Sequence, residues 1–509
     1  MVYFGGRMAR INKRPYRKYN PPSIDIYTHP KNGLHISREL ILRGVGLIYT
    51  IAFLSLYSQL PGLFGCDGLK PANSIFVNNT TFKSYFTSPT LFWYSQSLGF
   101  NTIDPMMEVM CLIGIVFGLL ELFGQCWNVF YLIQWIFYLS FFMIGQPFLH
   151  FQWDILLLEA GFLTIFLARW SPFQFKRRLN NPILGLLWLF RFLLFKLMFL
   201  SGIVKLITSQ KSNWNDLTAM NYHYATQCIP NPISYFLHQL PSFVHELETV
   251  GTLVIEIPLT FCLFLPSYYL REIAALTQIF LQIMILLSGN YNFFNILTII
   301  LCFSFLENRF WDFRHWKNSK KYRLLNYLGF IVIFVIFFFL LTKIHWNAYL
   351  PKFTLTVTES SLKGMIKDYF WIYLIFFFIS FIINYVLDVI EIFSNKKYGT
   401  TLWSIFIFVF CLWVLIISPL NKTAELHENE YYLLVKPQSN LIRDFHITNE
   451  YGLFRSMTGV GSRKEVARPE VIIEGYNGTH WHEISFPYKP GDVSRRPPLV
   501  APHQPRLDW

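Results

Sequence analysis

PILGLLWLFRFLLFKLMFLSGIVKL, residues 182–206, decides what kind of protein this is. A helix of about 20 apolar residues crosses the hydrocarbon core of a bilayer. This run has that length, and its only charges are Arg191, Lys196 and Lys205. Ten similar runs surround it, at 41–60, 106–123, 128–147, 154–170, 249–266, 268–288, 291–307, 325–343, 368–391 and 400–418. The 509-residue chain is 53% apolar, 19% aromatic and only 14% charged, too little charge to cover a water-soluble protein of this size. The expected fold is an α-helical polytopic membrane bundle of about 11 spans, occupying 41–418, with a small C-terminal β domain at 419–509.

The first 40 residues are polar and basic, so no cleavable signal peptide is read there, and Ile41–Leu60 is expected to act as a signal anchor. The net charge of +13 does not point to nucleic acid, because in a membrane protein basic residues mark the cytosolic side. Arg7, Arg10, Lys13, Arg14, Arg17 and Lys18 precede the first run; Arg169, Lys176, Arg177 and Arg178 follow the fourth; Arg309, Arg314, Lys317, Lys320, Lys321 and Arg323 follow the eighth; Lys396 and Lys397 follow the tenth. Eleven passes place all four groups on one side, which makes the N-terminus cytosolic and the C-terminus lumenal. Four N-glycosylation sequons, at Asn78, Asn79, Asn421 and Asn477, then fall in the lumen.

The expected lumenal parts are 61–105, 207–248, a short loop near 344–367, and the tail. Loop 207–248 is rich in aromatics and prolines and reads as a folded cap, with Trp214, Tyr222, His223 and His238 as candidate contact residues. Cys66 and Cys228 are the two cysteines expected in the lumen, and they either pair there or remain thiols. In the tail, Val471–Gly475 and Trp481–Phe486 are strand-like runs flanking Asn477-Gly478, a strong hairpin signal. Tyr431–Val435 and Tyr451–Phe454 are further candidate strands.

Ionisable residues inside spans are costly, which makes each a candidate for function. Asp154, Glu159, Lys205 and Glu256 are expected at similar depth toward the lumen, with Arg191 and Lys196 on the same helix as Lys205. They either converge on one polar site or form ion pairs that hold helices in register. His480 and His482 alternate on an expected strand, but two histidines without a third ligand do not make a metal site. No phosphate loop, nucleophile elbow or HExxH is present, so neither metal nor cofactor is expected.

QWDILLLEAGF (152–162), LTAMNYHYATQ (217–227), HQLP (238–241), GNYNFFN (289–295), YGLFRSMT (451–458), RPEVIIEG (468–475), YKPGD (488–492) and PHQPRLDW (502–509) together resemble the lipase maturation factor family. The resemblance implies a non-enzymatic, chaperone-like protein of the endoplasmic reticulum membrane. It implies secreted lipases as clients, with other lumenal folding factors as further partners. In the family, PHQPRLDW is followed by more lumenal sequence, whereas this chain stops at Trp509, so a missing distal segment is expected. A shorter stretch, LMFLSGIVKL (197–206) followed by Trp214 and Tyr222, is similar to vitamin K-dependent gamma-carboxylases. That similarity carries the rival reading, a membrane enzyme with Lys205 as base.

Overall fold

The computed structural model describes residues 34–73, 88–145, 147–169, 184–207, 213–311, 320–347, 350–394, 401–417, 444–457 and 471–509. Each expected span falls on a helix, because a chain in hydrocarbon must satisfy its backbone N–H and C=O groups within itself. The helices are α1 (His35–Tyr57), α2 (Ile103–Leu122), α3 (Asn128–Ile144), α4 (Gln152–Leu167), α5 (Leu184–Ile207), α6 (Ser242–Glu256), α7 (Tyr268–Ser288), α8 (Phe294–Cys302), α9 (Lys320–Leu341), α10 (Glu359–Ser394) and α11 (Thr401–Ile417). Helix α6 continues past a break at Pro258, where a backbone donor is missing, to Phe264. Among the described residues seven helices are long and apolar enough to cross a membrane; α3, Phe294–Phe305 and Ser404–Ile417 are shorter apolar helices. The chain is therefore a multi-pass helical membrane protein.

Polar contacts tie the helix ends into two groups. At one end, Arg38 donates to the Leu167 carbonyl from Nε (2.8 Å) and Nη2 (2.6 Å), Arg169 pairs with Glu39 at 2.7 Å, and Ser37 donates to the Leu306 carbonyl. The start of α1, the end of α4 and the chain after α8 thus lie together, and Arg169 and Arg309 flank them. At the other end, Ser55 and Gln59 near the end of α1 meet the tail at His503 and Gln504. Asn290, just past α7, also meets the tail, accepting from the Val500 amide at 2.8 Å.

The first eight helices form the core. Helices α1 and α2 touch through glycines: a Cβ on Gly118 would sit 2.3 Å from Thr50 Oγ1. Helix α5 runs through the centre, and its whole apolar window is buried. Helices α9 and α10 lie outside, with only 11% and 17% of their windows buried. They are joined by an antiparallel hairpin of β1 (Thr342–Asn347) and β2 (Leu350–Leu355), which was expected only as a loop. Asp388 of α10 accepts the Leu184 and Gly185 amides at 3.1 and 2.8 Å, capping the exposed donors at the start of α5.

The tail holds less sheet than expected. Strand β3 (Glu474–Tyr476) pairs with β4 (Trp481–Glu483) around the Asn477-Gly478 tip, where Gly478 takes φ +95°. Among the described residues this is the tail's only strand pairing. Tyr451–Phe454 is a turn rather than a strand, with Phe454 at φ +53°. Six prolines between 487 and 505 remove ladder donors, and the remaining polar groups find partners on the bundle. For the cysteines the structure shows one of the two open alternatives. No disulfide joins Cys66 to Cys228; the Cys66 amide is held by Asp104 at 2.9 Å. Tyr431–Val435 and the sequons at Asn78, Asn79 and Asn421 lie outside the described residues.

Candidate functional site

The charges expected inside the spans do not converge on one site. They resolve into three buried ion pairs, two of them completed by the tail. Asp154, in the first turn of α4, receives a bidentate pair from Arg506, Nη2 to Oδ1 at 2.8 Å and Nη1 to Oδ2 at 3.1 Å. The Tyr138 hydroxyl on α3 donates to the same Oδ1 at 2.5 Å, and Arg506 also donates to the Phe148 carbonyl at 2.8 Å. Two parallel N–H···O⁻ bonds fix a guanidinium in orientation as well as position.

Glu159 lies farther along α4. Its Oε1 accepts from Lys196 of α5 at 2.5 Å. Its Oε2 accepts from the Tyr451 hydroxyl at 2.8 Å, the Asn449 amide at 3.0 Å and Asn449 Nδ2 at 3.2 Å. The third pair joins Lys205 of α5 to Glu256 of α6. Their helices approach at Gly202, where a Cβ would lie 2.5 Å from Ile257. Lys205 Nζ sits 4.8 Å from the Trp214 ring centroid and 5.8 Å from that of Phe454. The Trp214 indole in turn donates to the Phe454 carbonyl at 2.7 Å. Arg191 stands apart, donating to the Ser304 carbonyl at 2.9 Å above the Phe305 ring.

Burying two charges costs several kcal/mol per ion before pairing restores it, so such pairs survive where every lone pair and proton finds a partner. Asp154 Oδ2 and Glu159 Oε2 find their partners only with the tail in place, although Arg506 Nε is left without one among the described residues. Sequence reasoning named the acids and missed their tail partners Arg506, Tyr451 and Asn449. The signal available was a single arginine and a tyrosine inside PHQPRLDW and YGLFRSMT, stretches quoted for resemblance rather than for chemistry.

The expected contact loop divides in two. Trp214 and His223 are buried; Tyr222 is half-buried and His238 exposed. His223 lies 3.4 Å from the Tyr291 hydroxyl, and burial, with the nearby Lys205 charge, lowers its pKa to about 4, so it stays neutral. The exposed apolar surface is instead on the short helix Pro232–His238, at Ile233, Tyr235 and Phe236, continued by Leu240. A groove of about 710 Å³ runs between this helix and residues 488–498. A second cavity, of about 330 Å³, lies under residues 452–457. Among the described residues no three His, Cys, Asp or Glu side chains group to hold a metal, and His482 is engaged with Asn477 at 2.8 Å.

The fold and site define a multi-pass helical bundle whose tail supplies a countercharge to Asp154 and neutral donors to Glu159, and the comparisons with known proteins give it a family. Residues 36–313 match the lipase maturation factor transmembrane domain, and residues 447–509 match the lipase maturation factor C-terminal domain. The chain belongs to the lipase maturation factor family. It is 36% identical to lipase maturation factor 2 of Xenopus laevis over 527 aligned residues, covering 93% of this chain and 70% of the relative. It is 33% identical to human lipase maturation factor 2, covering 94% and 71%. Human lipase maturation factor 1 is 27% identical, covering 93% and 73%. No solved structure matches.

Proposed function

We propose that this protein is a chaperone-like factor of the endoplasmic reticulum membrane that promotes maturation of secreted lipases and is not itself an enzyme. The tail-bearing end of the bundle is then lumenal, and other folding factors meet clients there. One observation carries the reading. That end presents the exposed rings of Tyr235 and Phe236 beside the 710 Å³ groove, while the charges beneath are consumed in ion pairs. Exposed apolar surface outside the spans is what binding an incompletely folded client needs. Deleting the gene and measuring secreted lipase activity per lipase molecule tests the function. A marked fall is expected; unchanged specific activity refutes it.

The rival reading, an enzyme with Lys205 as base, is met by the Glu256 pairing, which gives Lys205 a structural task. Lys205→Arg is expected to keep most function, and Lys205→Ala to lose it by leaving Glu256 unpaired. Well-expressed but inactive Lys205→Arg protein would favour the enzyme, since arginine does not give up its proton. The orientation has its own test. Asn477 stands at an exposed hairpin tip, and Asn477→Gln is expected to remove one endoglycosidase-sensitive glycan.

A further inference from the structure

The 330 Å³ cavity under residues 452–457 belongs to none of the ion pairs. Its floor comes from the start of α4, its sides from the short helix Ala219–Thr226 and the chain before α8, and its roof from the tail. Five rings frame it. Phe151 stacks on Trp153 at 4.6 Å, Trp153 meets Trp509 edge-on at 4.9 Å, and Tyr291 meets Trp509 at 5.8 Å and Phe454 at 5.1 Å. The volume is at the low end of small-molecule sites, which are mostly apolar with a few placed polar groups.

Among the described lining residues the acceptor Gln152 Oε1 is buried without a partner, and two strong donors stand open as well. The Trp153 indole N–H is buried and has no hydrogen-bond partner among the described residues, an arrangement that costs free energy unless an acceptor arrives. Arg455 stands exposed on the rim, with no ion pair or hydrogen bond among the described residues. Among the described residues no aspartate or glutamate lines the cavity. An aromatic box can hold a cation, but among the described lining side chains the only full charge is the positive one of Arg455. The wall is complementary to an acceptor that carries negative charge on an apolar body.

We propose that this cavity binds an amphipathic carboxylate of medium chain length, its head between Arg455 and the Trp153 indole and its chain among the rings. The reading is independent of whether lipases are clients. The full chain in phosphatidylcholine nanodiscs, photolabelled with a dodecanoate bearing a terminal diazirine, tests it. Crosslinks are expected within 150–153, 223–228, 452–457 and at Trp509. Dodecanoate should compete at least tenfold better than methyl dodecanoate or dodecyltrimethylammonium. Arg455→Ala should weaken competition about tenfold, the size of one charge-assisted hydrogen bond. Trp153→Phe, which removes only the N–H, should weaken it severalfold. Labels spread evenly along α9 and α10, equal competition by the ester, stronger competition by the ammonium compound, or an unaffected Arg455→Ala variant would each overturn the proposal.

Discussion

The inner and outer helices of this protein are all strongly apolar, the outer ones more so, and are built differently. In α1 to α8 the helices contact one another closely, carry charged residues at depth, and lean on the tail to neutralise Asp154 and to complete the hydrogen bonds of Glu159. In α9 and α10 most residues face outward, toward lipid in a membrane. The family matches divide the same way: 36–313 covers the inner helices and 447–509 the tail, and the outer helices fall between them. Hydrophobicity alone does not say which neighbour a helix has, because lipid and a protein neighbour satisfy an apolar side chain equally well. Buried polarity does separate the two regions. An inner helix with Asp154 or Glu159 has no stable place until Arg506, Lys196 and Tyr451 arrive, so the tail and the inner bundle form one folding unit.

The hardest blow to that unit is Arg506→Ala. It leaves Asp154 buried without its cation, a loss of about 3–5 kcal/mol. The expected outcome is release of residues 498–509 to protease and a large fall in the thermal midpoint of the purified protein. An unchanged tail digest would break the comparison. Asp388→Ala addresses the outer layer. It removes a charged acceptor from two amides at the start of α5, about 2 kcal/mol, and should loosen α10 while the tail stays protected.

Acidification probes the seam between tail and bundle more gently. His223, packed against Tyr291 and near Lys205, has a folded pKa lowered to about 4, whereas the unfolded chain titrates near the ordinary value. The unfolded state therefore binds more protons below about pH 6.5. Stability is full above that pH and declines as pH falls through about 4, by roughly 1–2 kcal/mol at pH 5. The thermal midpoint should drop between pH 7.5 and 5, and His223→Gln should flatten that drop. The smallest effect belongs to the outer face. Val332→Ala exchanges one lipid-facing side chain for another and should change stability by less than about 0.5 kcal/mol. A large loss there would mean that α9 has a protein neighbour the chain itself does not supply.

Much of this was legible in advance. All eleven apolar runs carry helices, and the Asn477-Gly478 hairpin forms where the turn signal lies. The acids and bases of the spans were singled out, with convergence and separate pairing both left open, because residue spacing gives depth and face on one helix but not which neighbour that face meets. Asp154 and Glu159 sit on one helix and bind different partners from different segments. The tail was read as sheet from its alternating apolar residues. Tyr451 and Phe454 instead turn their side chains toward α4 and α5, where a carboxylate and an ammonium wait.

The sequence by itself determined what local physics controls: where the chain is apolar long enough to be helical in a membrane, which residues are too polar to be there without a reason, and where it must turn. Only the tertiary structure decided which charge meets which. A carboxylate is satisfied by any correctly placed donor, and the Asp154–Arg506 pair spans 352 positions of sequence. No local pattern encodes such a choice; it follows from the packing that brings the start of α4 and the end of the tail to one place.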